Sequence, residues 1–370
     1  MRPLRCKGNN RLPDIANPRC ILILRPSAIG DVVMASPMVP RLRKAFPHAK
    51  IFWLVEPALA DLLRHHADLD GIIIWPKHEW VQSIRKGRWT SFLRQVKAFR
   101  RRLHEIEPDL VLDVQGLLRS RFLAWLSGAP YRIGFTSKEP HLFLMTHLID
   151  RGPSTKHIGS EYTYLLDKLG LEPSLHSKFP IDKEAAEKAE KILAQEGIHG
   201  PYCVLAPFTT RPQKHWLEDR WARVADTLRE DFGLPPVLLG GPGDLPSAQR
   251  IQKLCRGKIH ILCGKSSLLE SFAIVTGASL TIGVDTGLTH MAMVQRRPAI
   301  ALFGATCPYL FTGGTQGRVI YHRLPCSPCK RSPVCHSDYP CMKSITVEEV
   351  IRTAAPLIGP EVTSNAYCAH

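Results

Sequence analysis

Short runs that are apolar at every position alternate along this chain with longer stretches that are apolar on one side only. Residues 20–24 (Cys-Ile-Leu-Ile-Leu) have the pattern of a strand buried on both faces. A turn from Arg25 to Asp31 leads into a helix predicted through Met34 to Ala45 and stopped by Pro47. Strands are predicted at 51–55 and 71–75, with a helix near 58–64 between them. This βαβαβ order opens a doubly wound sheet. Over 89–104, Trp89, Phe92, Val96, Phe99 and Leu103 recur at spacings of three and four, which draws one apolar stripe on a helix. Residues 110–114 form another strand. Gly and Pro breaks surround a helix at 160–169, and the boundary between domains falls near 175–180. The alternation then restarts: helix 184–196, strand 202–206, helix 219–231, strand 236–240, helix 246–256, strand 259–262, helix 267–276, strand 279–284, helix 288–294 and strand 298–303. The expected architecture is α/β: two Rossmann-like doubly wound domains, 19–177 and 178–345, with a cleft between them. A basic leader (1–18) precedes them, and a helix from Thr346 with a short tail follows.

Composition narrows the class. An apolar content of 44% in 370 residues is enough to fill two cores. No run reaches the roughly 18 apolar residues of a membrane span, and the first residues lack the hydrophobic core of a secretory signal. A cytoplasmic protein is expected. The net charge of +16 points to a polyanionic partner or surface, or else serves solubility alone. Eight Lys and Arg and no acid lie between Arg85 and Arg102. That segment is an ordinary surface helix or a face for phosphorylated lipid headgroups. Of the eleven cysteines, Cys20, Cys203 and Cys263 sit in apolar strands as small hydrophobes. Cys326, Cys329, Cys335 and Cys341 cluster within 16 residues. Their spacing suits a structural zinc or iron–sulfur site, or a set of free thiols.

The candidate chemistry sits where predicted strands end, the edge at which open α/β sheets bind ligands. Thr209 and Thr210 bring hydroxyls and Lys214 a compact ammonium, a set that suits a diphosphate. Asp285, Thr286, Gly287 and His290 bring a carboxylate, a hydroxyl, a flexible turn and an imidazole, which suit a sugar. Gly240, Gly241, Gly243 and Asp244 form a glycine-rich turn that can admit a ribose or an adenine. It matches neither the dinucleotide fingerprint nor a Walker loop. In the first half, Ser27, Gly30 and Asp31 lie on the first strand-to-helix turn. Asp31 is either the N-cap of the helix or a carboxylate positioned as general base.

Together these motifs resemble glycosyltransferase family 9, the ADP-heptose:lipopolysaccharide heptosyltransferases. The resemblance is carried by Ser27-Ala28-Ile29-Gly30-Asp31-Val32-Val33, by Asp113-Val114-Gln115-Gly116-Leu117-Leu118-Arg119-Ser120, by Thr209-Thr210-Arg211 with Lys214-His215-Trp216, and by Asp285-Thr286-Gly287-Leu288-Thr289-His290. It spans about 19–355. The second and third motifs look most like members that add the first heptose to Kdo-lipid A. The Cys326–Cys341 loop looks more like members that add the second. The resemblance implies a GT-B fold, an inverting transfer with no cofactor or catalytic metal, and an acceptor at the inner leaflet of the cytoplasmic membrane; a monomer peripheral on that face is expected. It implies Asp31 as general base and Lys214 on the donor phosphates. Thr209, Thr210, Asp244, Asp285, Thr286, Gly287 and His290 would complete the ADP-sugar pocket. Ser27, Gly30, Gln115, Arg119, Arg121, Arg132 and Lys138 would meet an anionic acceptor.

Two other classes predict different behaviour. A zinc-stapled nucleic-acid-binding protein would show salt-dependent binding, but no nucleic-acid motif is present. A nucleotide-sugar epimerase would consume its substrate without an acceptor.

Overall fold

The computed structural model describes residues 17–139, 143–152, 157–172, 179–306, 308–312, 314–329 and 332–358. The chain divides into two units, the first built from residues up to 155 with 159–180, the second from 156–158 with 181 onward.

The first unit carries six parallel strands: β1 (Cys20–Leu24), β2 (Lys50–Val55), β3 (Gly71–Ile74), β4 (Leu110–Asp113), β5 (Tyr131–Phe135) and β6 (His147–Ile149). They are ordered β3-β2-β1-β4-β5-β6. The second repeats the plan with β7 (Cys203–Ala206), β8 (Pro236–Leu238), β9 (His260–Ile261), β10 (Leu280–Val284), β11 (Ala299–Phe303) and β12 (Gly317–Tyr321), ordered β12-β11-β10-β7-β8-β9. Each sheet starts at an inner strand and is wound outward in both directions. The winding reverses between β1 and β4 in one unit and between β7 and β10 in the other. The carboxyl ends beside such a reversal diverge and leave a crevice for ligand. The doubly wound architecture read from the alternation is thus present twice.

The central strands are sealed: every residue of β1, β4, β7, β10 and β11 is buried. Helices cover them: α1 (Ile29–Ala35), α2 (Met38–Ala45), α3 (Ala60–Arg64), α4 (Lys77–Arg85), α5 (Trp89–Glu105), α6 (Leu118–Leu126) and α7 (Ser160–Lys168), then α8 (Lys183–Gln195), α9 (Glu218–Phe232), α10 (Leu245–Leu254), α11 (Leu268–Gly277), α12 (Gly287–Val294), α13 (Pro340–Lys343) and α14 (Val347–Ala354). In the first unit Phe99 and Leu103 of α5 and Leu123 of α6 pack on Leu22, Leu24 and Val111.

Two expectations are corrected. The single helix expected through Met34 to Ala45 is two, α1 and α2. Pro37 has no N–H to donate and restricts Ser36 before it, so the helix restarts at Met38. Pro40 lies in the first turn of α2, where the missing donor costs nothing. The apolar stripe on α5 is buried only toward its carboxyl end. Trp89, counted within it, is 59% exposed.

Candidate functional site

In the first unit, β1 delivers the chain to the turn Arg25–Asp31 and β4 delivers it to Val114–Leu117, on either side of the winding reversal. Asp31 is the third residue of α1, so it is not the N-cap, a position held by Ala28. Its Oδ2 faces the Ala28 N–H at 3.4 Å and takes an ion pair from Arg25 Nη2 at 2.6 Å. Arg25 is buried, its Nη1 donates to the Val114 carbonyl at 2.7 Å, and its own carbonyl accepts from Trp53. Burial disfavours the charge on Arg25, but Tyr162, Asp31 and Glu161 more than offset this and raise its pKa. The guanidinium therefore stays charged and fixes one carboxylate oxygen. The Asp31 side chain remains 38% exposed, open to an incoming hydroxyl.

Ser27, Gly30 and Gln115 gather around this carboxylate. Gln115 Nε2 donates to the Ser27 carbonyl at 3.4 Å, and its Oε1 is buried without a hydrogen-bond partner among the described residues. The turn holding Gln115 is tied down by Asp113. Its Oδ1 accepts from the Gln115 and Gly116 N–H groups at 3.1 Å each, and its Oδ2 accepts from Ser120 Oγ. Burial pushes the Asp113 pKa up, and these bonds oppose the rise. Gly116 has φ +71°, and a Cβ there would lie 3.2 Å from the Phe135 carbonyl oxygen, so this position calls for glycine.

The four cations expected at the acceptor divide into two pairs. Arg119 and Lys138 are exposed and uncommitted among the described residues. Arg121 is 1% exposed and donates to the Glu139 and Phe135 carbonyls and to Ser137 Oγ, so it shapes the 135–139 loop from within. Arg132 donates to the Leu144 and Ala129 carbonyls. Both guanidiniums are engaged by their own backbone. A charge count along the sequence cannot show that.

In the second unit the candidates follow three adjacent strands, β10, β7 and β8. The loop after β7 is anchored by Trp216, which is buried, packs edge-on against Trp221 at 5.1 Å and donates to the Ile345 carbonyl. His215 closes the loop on the Thr209 carbonyl at 2.8 Å. The hydroxyls of Thr209, Thr210 and Thr286 have no hydrogen-bond partner among the described residues. Lys214 reaches across to the end of β10, where Nζ lies 2.6 Å from Asp285 Oδ2. The other oxygen, Oδ1, meets His290 Nε2 at 2.9 Å, and Oδ2 also accepts from Thr306 Oγ1 at 2.7 Å. His290 Nδ1 faces the Tyr309 hydroxyl at 2.9 Å. With Nε2–H donating to Asp285, Nδ1 is the acceptor and the Tyr309 O–H the donor.

Burial alone would raise the Asp285 pKa. The hydrogen bond from His290 and the charge of Lys214 outweigh it and hold the carboxyl well below the ordinary range. Tyr309 is pushed well up, by burial first and Asp285 second, so its phenol stays protonated. Gly287 opens α12, whose first N–H groups are available for an anion. Gly283 is required behind this site: a Cβ there would lie 2.1 Å from Thr289 Oγ1, which donates to the Val284 carbonyl. Asp244 is half-buried, and its Oδ2 accepts from the Gly241 N–H at 2.8 Å. It therefore closes the glycine-rich turn as well as facing the ligand edge.

Arg25, Tyr162, Thr306 and Tyr309 were not among the sequence candidates. Each reaches the site from a buried position or from a loop with no motif. Cys326, Cys329, Cys335 and Cys341 are free thiols. Among the described residues no three His, Cys, Asp or Glu side chains are placed to hold a metal ion. The segment packs under the end of β11, where a Cβ on Gly304 would lie 2.8 Å from Cys341 Sγ.

Two doubly wound sheets, each with polar groups at its winding reversal, fit the two-sheet architecture of glycosyltransferases. Residues 96–339 match the model of glycosyltransferase family 9 (heptosyltransferase), and the chain belongs to that family. It is 28% identical over 327 residues to lipopolysaccharide heptosyltransferase 1 of Pseudomonas aeruginosa, covering 84% of this chain and 85% of that one. Among solved structures it is similar to a glycosyl transferase family 9 protein of Veillonella parvula, with TM-score 0.79 and 25% identity over 92% of this chain and 97% of that one. It is also similar to E. coli heptosyltransferase WaaC with ADP, with TM-score 0.70 and 25% identity over 91% of this chain and 99% of that one.

Proposed function

We propose that this glycosyltransferase moves heptose from ADP-L-glycero-D-manno-heptose to the Kdo region of a lipopolysaccharide precursor, with inversion at the anomeric carbon. The observation that carries the reading is the Lys214–Asp285 pair. It joins a loop suited to a diphosphate to a motif suited to a sugar, at the mouth of one sheet. Asp31 takes the proton of the acceptor hydroxyl. The freed oxygen attacks the anomeric carbon, and the bond to the diphosphate oxygen breaks with its electron pair leaving on ADP. Lys214 and the N-terminus of α12 supply positive charge where that negative charge develops. Asp285, held ionised, accepts hydrogen bonds from heptose hydroxyls, with His290 setting its orientation. Arg119 and Lys138 face the acceptor's carboxylates and phosphates. No cofactor takes part in the step as written.

A lipid acceptor would put the work at the inner face of the cytoplasmic membrane, and a monomer is proposed. Among the described residues no helix is long and apolar enough to cross a membrane. A second reading, transfer to a later, already heptosylated core, rests on the Cys326–Cys341 loop, which resembles that of family members adding the second heptose. The test is ADP release with three acceptor conditions: heptose-free Kdo2-lipid A, a heptosylated core, and none. Release with the first alone supports first-heptose transfer. Release with the second alone moves the enzyme to a later step. Equal release without acceptor would refute transfer.

A further inference from the structure

Away from the site, α4 and α5 of the first unit present a mixed apolar and basic face. Trp89 and Leu93 stand one helical turn apart on α5 and are 59% and 63% exposed; Ile84 and Val81 of α4 are 41% and 36% exposed. Isolated exposed apolar residues are ordinary, but four on two packed helices are a patch. The spacing that links Trp89 to Leu93 continues through Lys97 to Arg101. All eight cations between Arg85 and Arg102 are exposed, and none has a carboxylate partner among the described residues. The row is apolar at the start of the helix and basic along its length.

Topology places this patch. The carboxyl end of α5 lies four residues before the start of β4, hence at the amino edge of the sheet. A helix of 17 residues is about 25 Å long, so Trp89 stands at the opposite, carboxyl edge. Side-chain contacts agree: Trp75, at the end of β3, touches Trp80, which touches Phe92 of α5. Asp31 and Gln115 lie at that same edge, and β3 is two strand spacings from β1, about 10 Å.

We infer that this face, centred on Trp89, Leu93, Lys97 and Arg101, docks on an anionic phospholipid bilayer. Indole and leucine side chains enter the interface while the flanking cations meet headgroup phosphates. A nucleic-acid face would have no use for exposed aliphatic Val81, Ile84 and Leu93. The inference deepens the proposed function and rests on it for the acceptor. A lipid-anchored sugar must be presented at the carboxyl edge, and a patch there keeps the enzyme at the depth where it is found.

The test uses full-length protein and vesicle flotation. Vesicles of phosphatidylglycerol with phosphatidylethanolamine are compared with vesicles of phosphatidylcholine, without acceptor or donor. The expected result is salt-sensitive binding to the anionic vesicles only. The pair Lys97→Gln with Arg101→Gln should weaken it roughly 25-fold, at about fivefold per cation. The pair Trp89→Ser with Leu93→Ser should weaken it about tenfold or more. Both pairs should keep wild-type turnover on a deacylated, water-soluble acceptor, which shows that they fold. Equal binding to both vesicle types, binding unchanged in both pairs, or capture of single-stranded RNA in place of vesicles would overturn the surface. Vesicle binding with no transferase activity on any acceptor would instead overturn the proposed function and leave the surface standing.

Discussion

Lys214 Nζ and Asp285 Oδ2 lie 2.6 Å apart across 71 positions of sequence, with both side chains about 15% exposed. Two groups expected to serve the phosphate and the sugar separately are thus each other's ion-pair partner. Removing one partner leaves a partly buried charge, which costs about 1–3 kcal/mol at this degree of burial. Asp285→Asn should lower stability by that amount in urea unfolding and reduce turnover by two or more orders of magnitude. Unchanged stability would mean that the pair contributes nothing to the fold.

The same pair fixes a pH dependence. The Asp285 pKa is depressed in the folded protein below its ordinary 3.8. The stabilisation is therefore complete above about pH 4 and fades as pH falls toward the folded value, because the unfolded chain takes up the proton first. The stability gap between wild type and Asp285→Asn should be wide at neutral pH and should narrow below about pH 4. A gap that stayed constant down to pH 2 would contradict the assignment.

Tyr309 contributes one hydroxyl to His290 Nδ1 and is otherwise packed against Phe303. Tyr309→Phe keeps the ring and removes that donor. The expected result is a loss of about 0.5–1.5 kcal/mol of stability with a fall in turnover of several-fold. Donor titration should show a weaker ADP-sugar complex, because the imidazole that orients Asp285 loses its own anchor. Wild-type kinetics would show that His290 needs no second partner.

Gly283→Ala tests the packing behind the donor site. The new Cβ would meet Thr289 Oγ1 at 2.1 Å and Ala206 Cβ at 2.9 Å. Overpacking of this kind costs about 1–3 kcal/mol. Adding Thr289→Ala should restore part of the loss, since it removes the closest atom and not the second. A double variant no better than Gly283→Ala would place the strain elsewhere.

What the sequence revealed and what it hid have separate physical causes. The strands and strand-end motifs were legible because a strand buried on both faces must be apolar throughout, and ligand groups must follow it. The strands β5, β6 and β12 and the helices α4, α6 and α13 escaped notice. Their segments are short or carry a mixed pattern, as in Tyr-Arg-Ile-Gly-Phe and Gly-Arg-Val-Ile-Tyr. At the site, Asp31, Lys214, Asp285 and His290 could be singled out because polar groups beside strand ends are conspicuous. Arg25 could not be recognised as the partner of Asp31, since nothing in Arg-Pro-Ser says that the guanidinium turns inward. Thr306 and Tyr309 come from the loop after β11 and meet Asp285 and His290 respectively, only through the order β11-β10 in the sheet. Arg121 and Arg132 are expected from sequence to meet the acceptor, because a sequence does not show which carbonyls a guanidinium will reach.

The most direct test of the central claim is acceptor-dependent ADP release by wild type and Asp31→Ala, with ADP-heptose affinity measured on both by calorimetry. A turnover loss of about a hundredfold to ten-thousandfold is expected in the variant, with donor affinity unchanged. Normal turnover with lost donor affinity would contradict it and would move Asp31 from the reacting hydroxyl to the donor.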